Sequence, residues 1–64
     1  MYVYELTTWT DTTPEVKTRG RNTYEDGYAA RRAMMAAVAR TDKVAGLYAS
    51  GRIFQIDENG EELA

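Results

Sequence analysis

The residue pattern predicts an α+β fold: a small antiparallel β-sheet of three to five short strands with one α-helix packed on one face, in the order β-(β)-α-β-β-(β). Three observations predict it. Residues 1–10 are dense in aromatic and β-branched side chains and hold no Gly or Pro, a composition that favours a strand. Residues 24–41 carry six alanines between an acidic start and a basic end, the arrangement that propensity and the helix dipole both favour. Residues 44–57 return to strand-like composition and are followed by the turn signal Asn59-Gly60. With 64 residues, the chain is expected to form a single domain, 1–64.

Alternation sorts the first strand into two faces. Tyr2, Tyr4, Leu6 and Thr8 lie on one and read as the core side; Val3, Glu5, Thr7 and Trp9 lie on the other. Trp9 then points away from the core, or sits at the sheet's end with its ring folded over an edge. Residues 11–15 read as a turn or loop, because Pro14 lacks a backbone donor and biases Thr13 away from the helical region. Val16 to Arg21 fits either a second strand folded back on the first or an ordered loop, with Gly20 as an interruption.

Asn22 or Thr23 is expected to cap a helix over 24–41. At 100° per residue, Tyr24, Tyr28, Met35 and Val38 form one stripe with Met34 beside it, and this stripe is expected to face the sheet. Arg31 falls inside the stripe, where a charge must snorkel, pair or stack on an aromatic ring; Tyr24, Tyr28 and Glu5 are its candidate companions. The opposite face, with Ala29, Ala33, Ala36 and Arg40, is small rather than charged. In 44–57, Ser50-Gly51 is expected to turn a hairpin that sets Tyr48 opposite Ile53 and Leu47 opposite Phe54. Asn59-Gly60 is expected to fold 61–64 back along the preceding strand, with Leu63 opposite Ile56. One helix covers only one face of such a sheet, so Val3, Trp9, Tyr48 and Ile53 are expected on or near the uncovered face.

The composition narrows the chemistry. A chain this short buries only about 60% of the surface that its unfolded form exposes, and domains of this size commonly rely on a staple. There is no Cys and no His, which removes disulfides, thiol nucleophiles, thiolate metal sites and the commonest general base. No apolar run approaches a membrane span, and residues 1–5 lack a basic region followed by an apolar core, so no signal peptide is read. There is no Gly-rich phosphate loop and no nucleophile elbow. The expectation is a non-enzymatic, cytoplasmic protein with no catalytic, metal or cofactor-binding residue.

Charge is unevenly distributed around a net −2. Residues 1–15 carry −3 through Glu5, Asp11 and Glu15. Residues 16–43 carry +4, with seven bases against Glu25, Asp26 and Asp42. Residues 44–64 carry −3, with Arg52 against Asp57, Glu58, Glu61 and Glu62. Lys17, Arg19, Arg21, Arg31 and Arg32 form a possible anion contact, phosphate being the obvious anion, or else a solvated face. Asp57, Glu58, Glu61 and Glu62 read as an acidic docking tip for a basic partner, or else as a solubilising turn; their spacing does not match an EF-hand. Trp9 and Tyr48 are the candidate apolar anchors, because Trp and Tyr dominate interface energetics.

In size and pattern the chain resembles the small single-domain acidic proteins that bacteriophages and other mobile elements use to block host machinery. The resemblance rests on no motif; it implies a regulator or inhibitor that occupies a partner protein's surface. Two other readings are carried beside it: a nucleic-acid-binding protein that uses the basic 17–32 segment, and a homo-oligomeric structural or accessory protein, a dimer above all, whose open sheet face or alanine-lined helix completes its core in a symmetric pair.

Overall fold

The first strand, β1 (Tyr2–Trp9), is the centre of a three-stranded antiparallel sheet in a computed structural model that describes residues 1–63. Val16–Arg19 form β2, which folds back on β1 with Glu5 opposite Arg19 and Thr8 opposite Val16. A helix, α1 (Gly27–Asp42), follows, and then β3 (Tyr48–Gln55) pairs with the other edge of β1, from Tyr2 opposite Gln55 to Trp9 opposite Tyr48. The strand order is β2-β1-β3, and α1 packs on both β1 and β3. The α+β class is as the sequence predicts, and of the two readings of 16–21 the structure takes the strand, over Val16–Arg19. The element order is β-β-α-β: three strands, within the expected three to five, with a single strand after the helix where a hairpin of two is expected.

The expected hairpin is absent because β3 pairs with β1 and not with itself. Ser50-Gly51 does not turn; it lies within the continuous strand β3. The ladder that β3 makes runs along all of β1 rather than within 44–57. Gly51 is needed for space: an added Cβ would stand 2.6 Å from Met34 Cγ, where α1 crosses the strand. The expected cross-strand pairs of Tyr48 with Ile53 and Leu47 with Phe54 are therefore replaced by Tyr48 with Trp9 and Phe54 with Val3.

Directly opposed residues of an antiparallel ladder project to the same face. Tyr2, Tyr4, Leu6, Gly51 and Ile53 share the face that carries α1, as Gly51 against Met34 and Gly27 against the Tyr2 ring show. The face expected as the β1 core side carries α1, but its β1 residues are half-buried and the buried β1 residue, Val3, is on the other face; Ile53 belongs to the helix-covered face and not to the open one. Val3, Glu5, Thr7 and Trp9 share the other face with Phe54, Arg52, Ser50 and Tyr48.

The helix begins at Gly27 and not at 24, because the Tyr24 backbone is committed to the sheet. Tyr2 N–H donates to Tyr24 O at 2.6 Å, and Tyr24 N–H donates to Tyr2 O at 2.8 Å. The N-cap is Asp26, whose Oδ1 accepts from Tyr28 N–H at 2.7 Å; Asn22 and Thr23 lie outside the helix. The buried helix positions are Ala30 and Ala37, with Met34 and Thr41 half-buried on the same line. The expected stripe is rotated outward: Tyr28 is 78% exposed and Met35 is 55% exposed, and Arg31 is exposed beside them. The sheet face already supplies Tyr2, Tyr4, Leu6 and Ile53, so alanines on α1 let helix and sheet approach; large side chains on both layers would hold them apart.

The second face is covered at one end. Gly60, at φ +83°, closes the Asn59-Gly60 turn, and its N–H donates to Asp57 O at 3.0 Å. The chain then returns alongside β3: Glu62 bridges Ile56, and Leu63 N–H donates to Gln55 O at 2.9 Å. The turn is as expected but the register differs by one residue, with Glu62 rather than Leu63 opposite Ile56; Ala64, also expected in this segment, lies outside the described residues. Under the turn sit Val3, Phe54 and Ile56, the largest buried apolar side chains. A small second core thus lies on the face away from α1. No helix among the described residues is long and apolar enough to cross a membrane.

Candidate functional site

Period-2 alternation sends Trp9 and Tyr48 to the same face, and the β1–β3 register sets them directly opposite one another. Their rings stack with centroids 5.9 Å apart at an interplanar angle of 24°. Tyr48 stays 43% exposed and Trp9 is half-buried. The pair occupies the end of the sheet far from the C-terminal turn, on the face opposite the helix. Two of the predicted anchor residues are therefore brought together, on rigid neighbouring strands.

The acidic residues are at the other end of the sheet. Trp9 is four residues along β1 from Glu5, which is about 13 Å of strand. The four predicted acids also divide by role. Asp57 is part of the turn's internal structure: its Oδ1 accepts from Asn59 N–H at 2.8 Å and from Glu61 N–H at 3.0 Å. Glu62 accepts from Arg52 Nη2 at 2.7 Å. Among the described residues Glu58 and Glu61 make no ion pair, and both are exposed. Of the four predicted acids, Glu58 and Glu61 are the two left without such a partner among the described residues.

Arg52 and Glu5 form a cluster that composition alone does not single out. Arg52 Nε donates to Glu5 Oε1 at 3.0 Å while Nη2 holds Glu62. The same guanidinium lies 4.4 Å from the Phe54 ring centroid, and that of Arg19 lies 5.0 Å from it. The hydrogen bond from Arg52, with its charge, holds the Glu62 carboxyl below its ordinary value; the bonds to Glu62 and then Glu5 raise the Arg52 pKa. Both Arg52 and Glu62 face solvent, so screening keeps this pairing weak in energy. Its effect is geometric: it ties β1, β3 and the C-terminal segment together over Phe54. The sequence signal was an Arg within an apolar strand, intelligible only once its cross-strand neighbour is known.

The predicted anion contact is not assembled as one surface. Arg19 donates to Gly60 O across the sheet as well as covering Phe54. Lys17 opposes Thr7 on that same face. Arg21 borders a depression with Tyr4, Asn22 and Tyr24, whereas Arg31 and Arg32 ride the exposed side of α1. Of the companions expected for Arg31, Tyr28 lies beside it in a second depression with Tyr2 and Ile53, and Glu5 is engaged by Arg52 on the opposite face. No group of three or more His, Cys, Asp or Glu that could hold a metal ion occurs among the described residues. Comparison with family models, with curated proteins and with solved structures finds no match to this chain.

Proposed function

We propose that this chain is a small non-enzymatic protein-binding module, a regulator or inhibitor of the kind mobile elements use, that acts by occupying a partner protein's surface. The observation that carries the reading is the stacked Trp9–Tyr48 pair, half-open to solvent on the sheet face that α1 leaves uncovered. Large aromatic side chains with few rotatable bonds lose little entropy when they bind, and they bury much area. Strands hold them with more precision than loops would. Glu58 and Glu61 add negative charge at the far end, which would speed encounter with a basic partner more than it would add affinity.

The test uses the intact chain as bait in lysate of its native host, with cross-linking and mass spectrometry, in parallel with Trp9→Ala and with the double reversal Glu58→Lys and Glu61→Lys. A partner retained by the parent chain, lost with Trp9→Ala and captured more slowly with the double reversal is the expected result. Binding of labelled DNA or RNA at about 150 mM salt, abolished by Lys17→Glu with Arg21→Glu and indifferent to Trp9→Ala, would replace this reading with the nucleic-acid one.

A further inference from the structure

The two edges of the sheet are built differently. The β2 edge is short, fully exposed and carries Lys17 and Arg19, the features that discourage strand addition. The β3 edge is not protected in this way. Tyr2 and Tyr4 turn their main-chain groups toward the β2 side, as their bonds with Tyr24 and Gly20 show. Val3, Glu5, Thr7 and Trp9 therefore turn theirs toward β3, where they meet Phe54, Arg52, Ser50 and Tyr48. It follows that Ala49, Gly51 and Ile53 point their N–H and C=O groups away from the sheet. Among the described residues the C-terminal segment takes up this edge at Gln55 and Ile56. Among the described residues no main-chain hydrogen bond reaches the outward groups of Ala49, Gly51 or Ile53. Residues 48–54 hold no Pro, and their one charge, Arg52, is already held by Glu5 and Glu62.

A second feature lies along the same edge. The helix side that overhangs β3 carries Met35, Val38, Ala39 and Asp42, which border a shallow groove with Ser50 and Gly51. Tyr28 and Arg31 continue this side toward Ile53. Met35 and Tyr28 are the exposed large apolar residues of α1. The unexpected outward stripe of the helix is thus the wall above the open edge.

We infer that a second copy of this chain adds to this edge, β3 against β3, to give a continuous six-stranded antiparallel sheet with both helices on one face. The register is fixed by what is open. The open groups of Ala49, Gly51 and Ile53 are centred on Gly51, so antiparallel self-pairing over 49–53 places the two-fold axis there, with Ala49 facing Ile53 and Ser50 facing Arg52 across the seam. Each outward N–H and C=O gains a partner, which is the chemistry of strand addition, and the contact is self-complementary, as a two-fold requires. The helices fit the same operator. An α1 axis over the β1–β3 pair stands about 5 Å from the seam, so its symmetry mate lies about 10 Å away, which is helix-packing distance. The helices run antiparallel, so Met35 and Val38 meet their equivalents near the axis, and Arg31 of one copy falls near the Asp42 end of the other with opposite charge. This surface is separate from Trp9, and its test is independent of the one above.

The experiment is sedimentation of the intact chain from low micromolar to hundreds of micromolar, with far-UV circular dichroism as a check on folding. The parent should show a concentration-dependent species of two-chain mass. Ala49→Pro removes an outward N–H and no β1–β3 bond, and Met35→Glu puts like charges beside the axis at a position that the single chain leaves exposed. Each should raise the dimer dissociation constant by about tenfold or more while the chain stays folded. If Ala49→Pro fails to fold, Met35→Glu decides. Lys17→Pro, on the opposite edge, should leave the dimer intact. A parent that stays single-chain throughout, as it would if the edge served a strand from another protein, overturns the inference. So does a dimer that survives Met35→Glu, or one that is lost with Lys17→Pro.

Discussion

Met34 of α1 rests on Gly51 of β3: a Cβ built at Gly51 would stand 2.6 Å from Met34 Cγ and 2.7 Å from its Sδ. The strand lacks a side chain where the helix crosses it, and the methionine fills the gap. Helix and sheet approach there because Ala30 and Ala37, the two buried helix residues, are also small.

Gly51→Ala should therefore destabilise the fold by overpacking, at about 1–3 kcal/mol. The loss depends on Met34, so a double-mutant cycle with Met34→Ala should show coupling: the added methyl costs much less once the methionine is truncated. Denaturant midpoints of the parent, both single variants and the double variant measure this. Additive losses would mean that Met34 does not sit on Gly51.

Phe54→Ala should be the more damaging of two truncations in this chain. Phe54 is buried with Val3 and Ile56 and lies under two guanidinium groups, and such a deletion costs about 3–5 kcal/mol. Met35→Ala, at a position 55% exposed, should leave the stability of the dilute single chain nearly unchanged. Chemical denaturation at low protein concentration separates the two, and a large loss for Met35→Ala would put the sheet-facing stripe where the periodicity alone places it.

Asp26→Ala should cost about 0.5–2 kcal/mol, the usual value of an N-cap, because the Oδ1 that accepts from Tyr28 N–H at 2.7 Å is lost. Thermal denaturation followed at the helix band should show a lower midpoint. Thr23→Ala, outside the helix, should not.

The Arg52–Glu62 pairing makes a small contribution with a defined pH sign. The Glu62 carboxyl is held below its ordinary value near 4.5. A depressed carboxylate stabilises the fold above its unfolded-state value, and that contribution is lost as pH falls through the lower folded-state value. Glu62→Gln should therefore show less loss of stability than the parent on acidification from neutral pH to pH values below the ordinary carboxylate range. Added salt should shrink the difference between the two, since the pair faces solvent. Identical acid titrations of stability in the two chains at low salt would remove Glu62 from the account.

Several elements could be read in order along the chain because their causes are local. The β1 segment MYVYELTTWT alternates with period 2, the alanines and terminal charges favour α1, and Asn59-Gly60 turns because Gly60 adopts a positive φ. The aromatic pair was half-readable: Trp9 and Tyr48 stand out as types, but only the β1–β3 ladder makes them neighbours. The four acids of the C-terminal turn look alike in sequence, and only the fold divides them into a turn brace, Asp57, an Arg52 partner, Glu62, and two acids that make no ion pair among the described residues, Glu58 and Glu61.

What the sequence by itself determined is that β1 is a strand, that the alanine-rich stretch is a helix and that the chain reverses after Asp57, because propensity and turn geometry act within a few residues. Tertiary structure alone decided three things. It chose the helix face, since the bulk of Tyr2, Tyr4, Leu6 and Ile53 favours alanines opposite, with Met34 fitting only over the side-chain-free Gly51. It made Ser50-Gly51 a crossing point rather than a turn, since a glycine that permits a reversal also permits close approach, and Met34 takes the space. It left the outward groups of Ala49, Gly51 and Ile53 without a main-chain partner among the described residues, since the C-terminal segment turns back to pair at Gln55 and Ile56. Each of these depends on partners distant in sequence, whose packing no local pattern encodes.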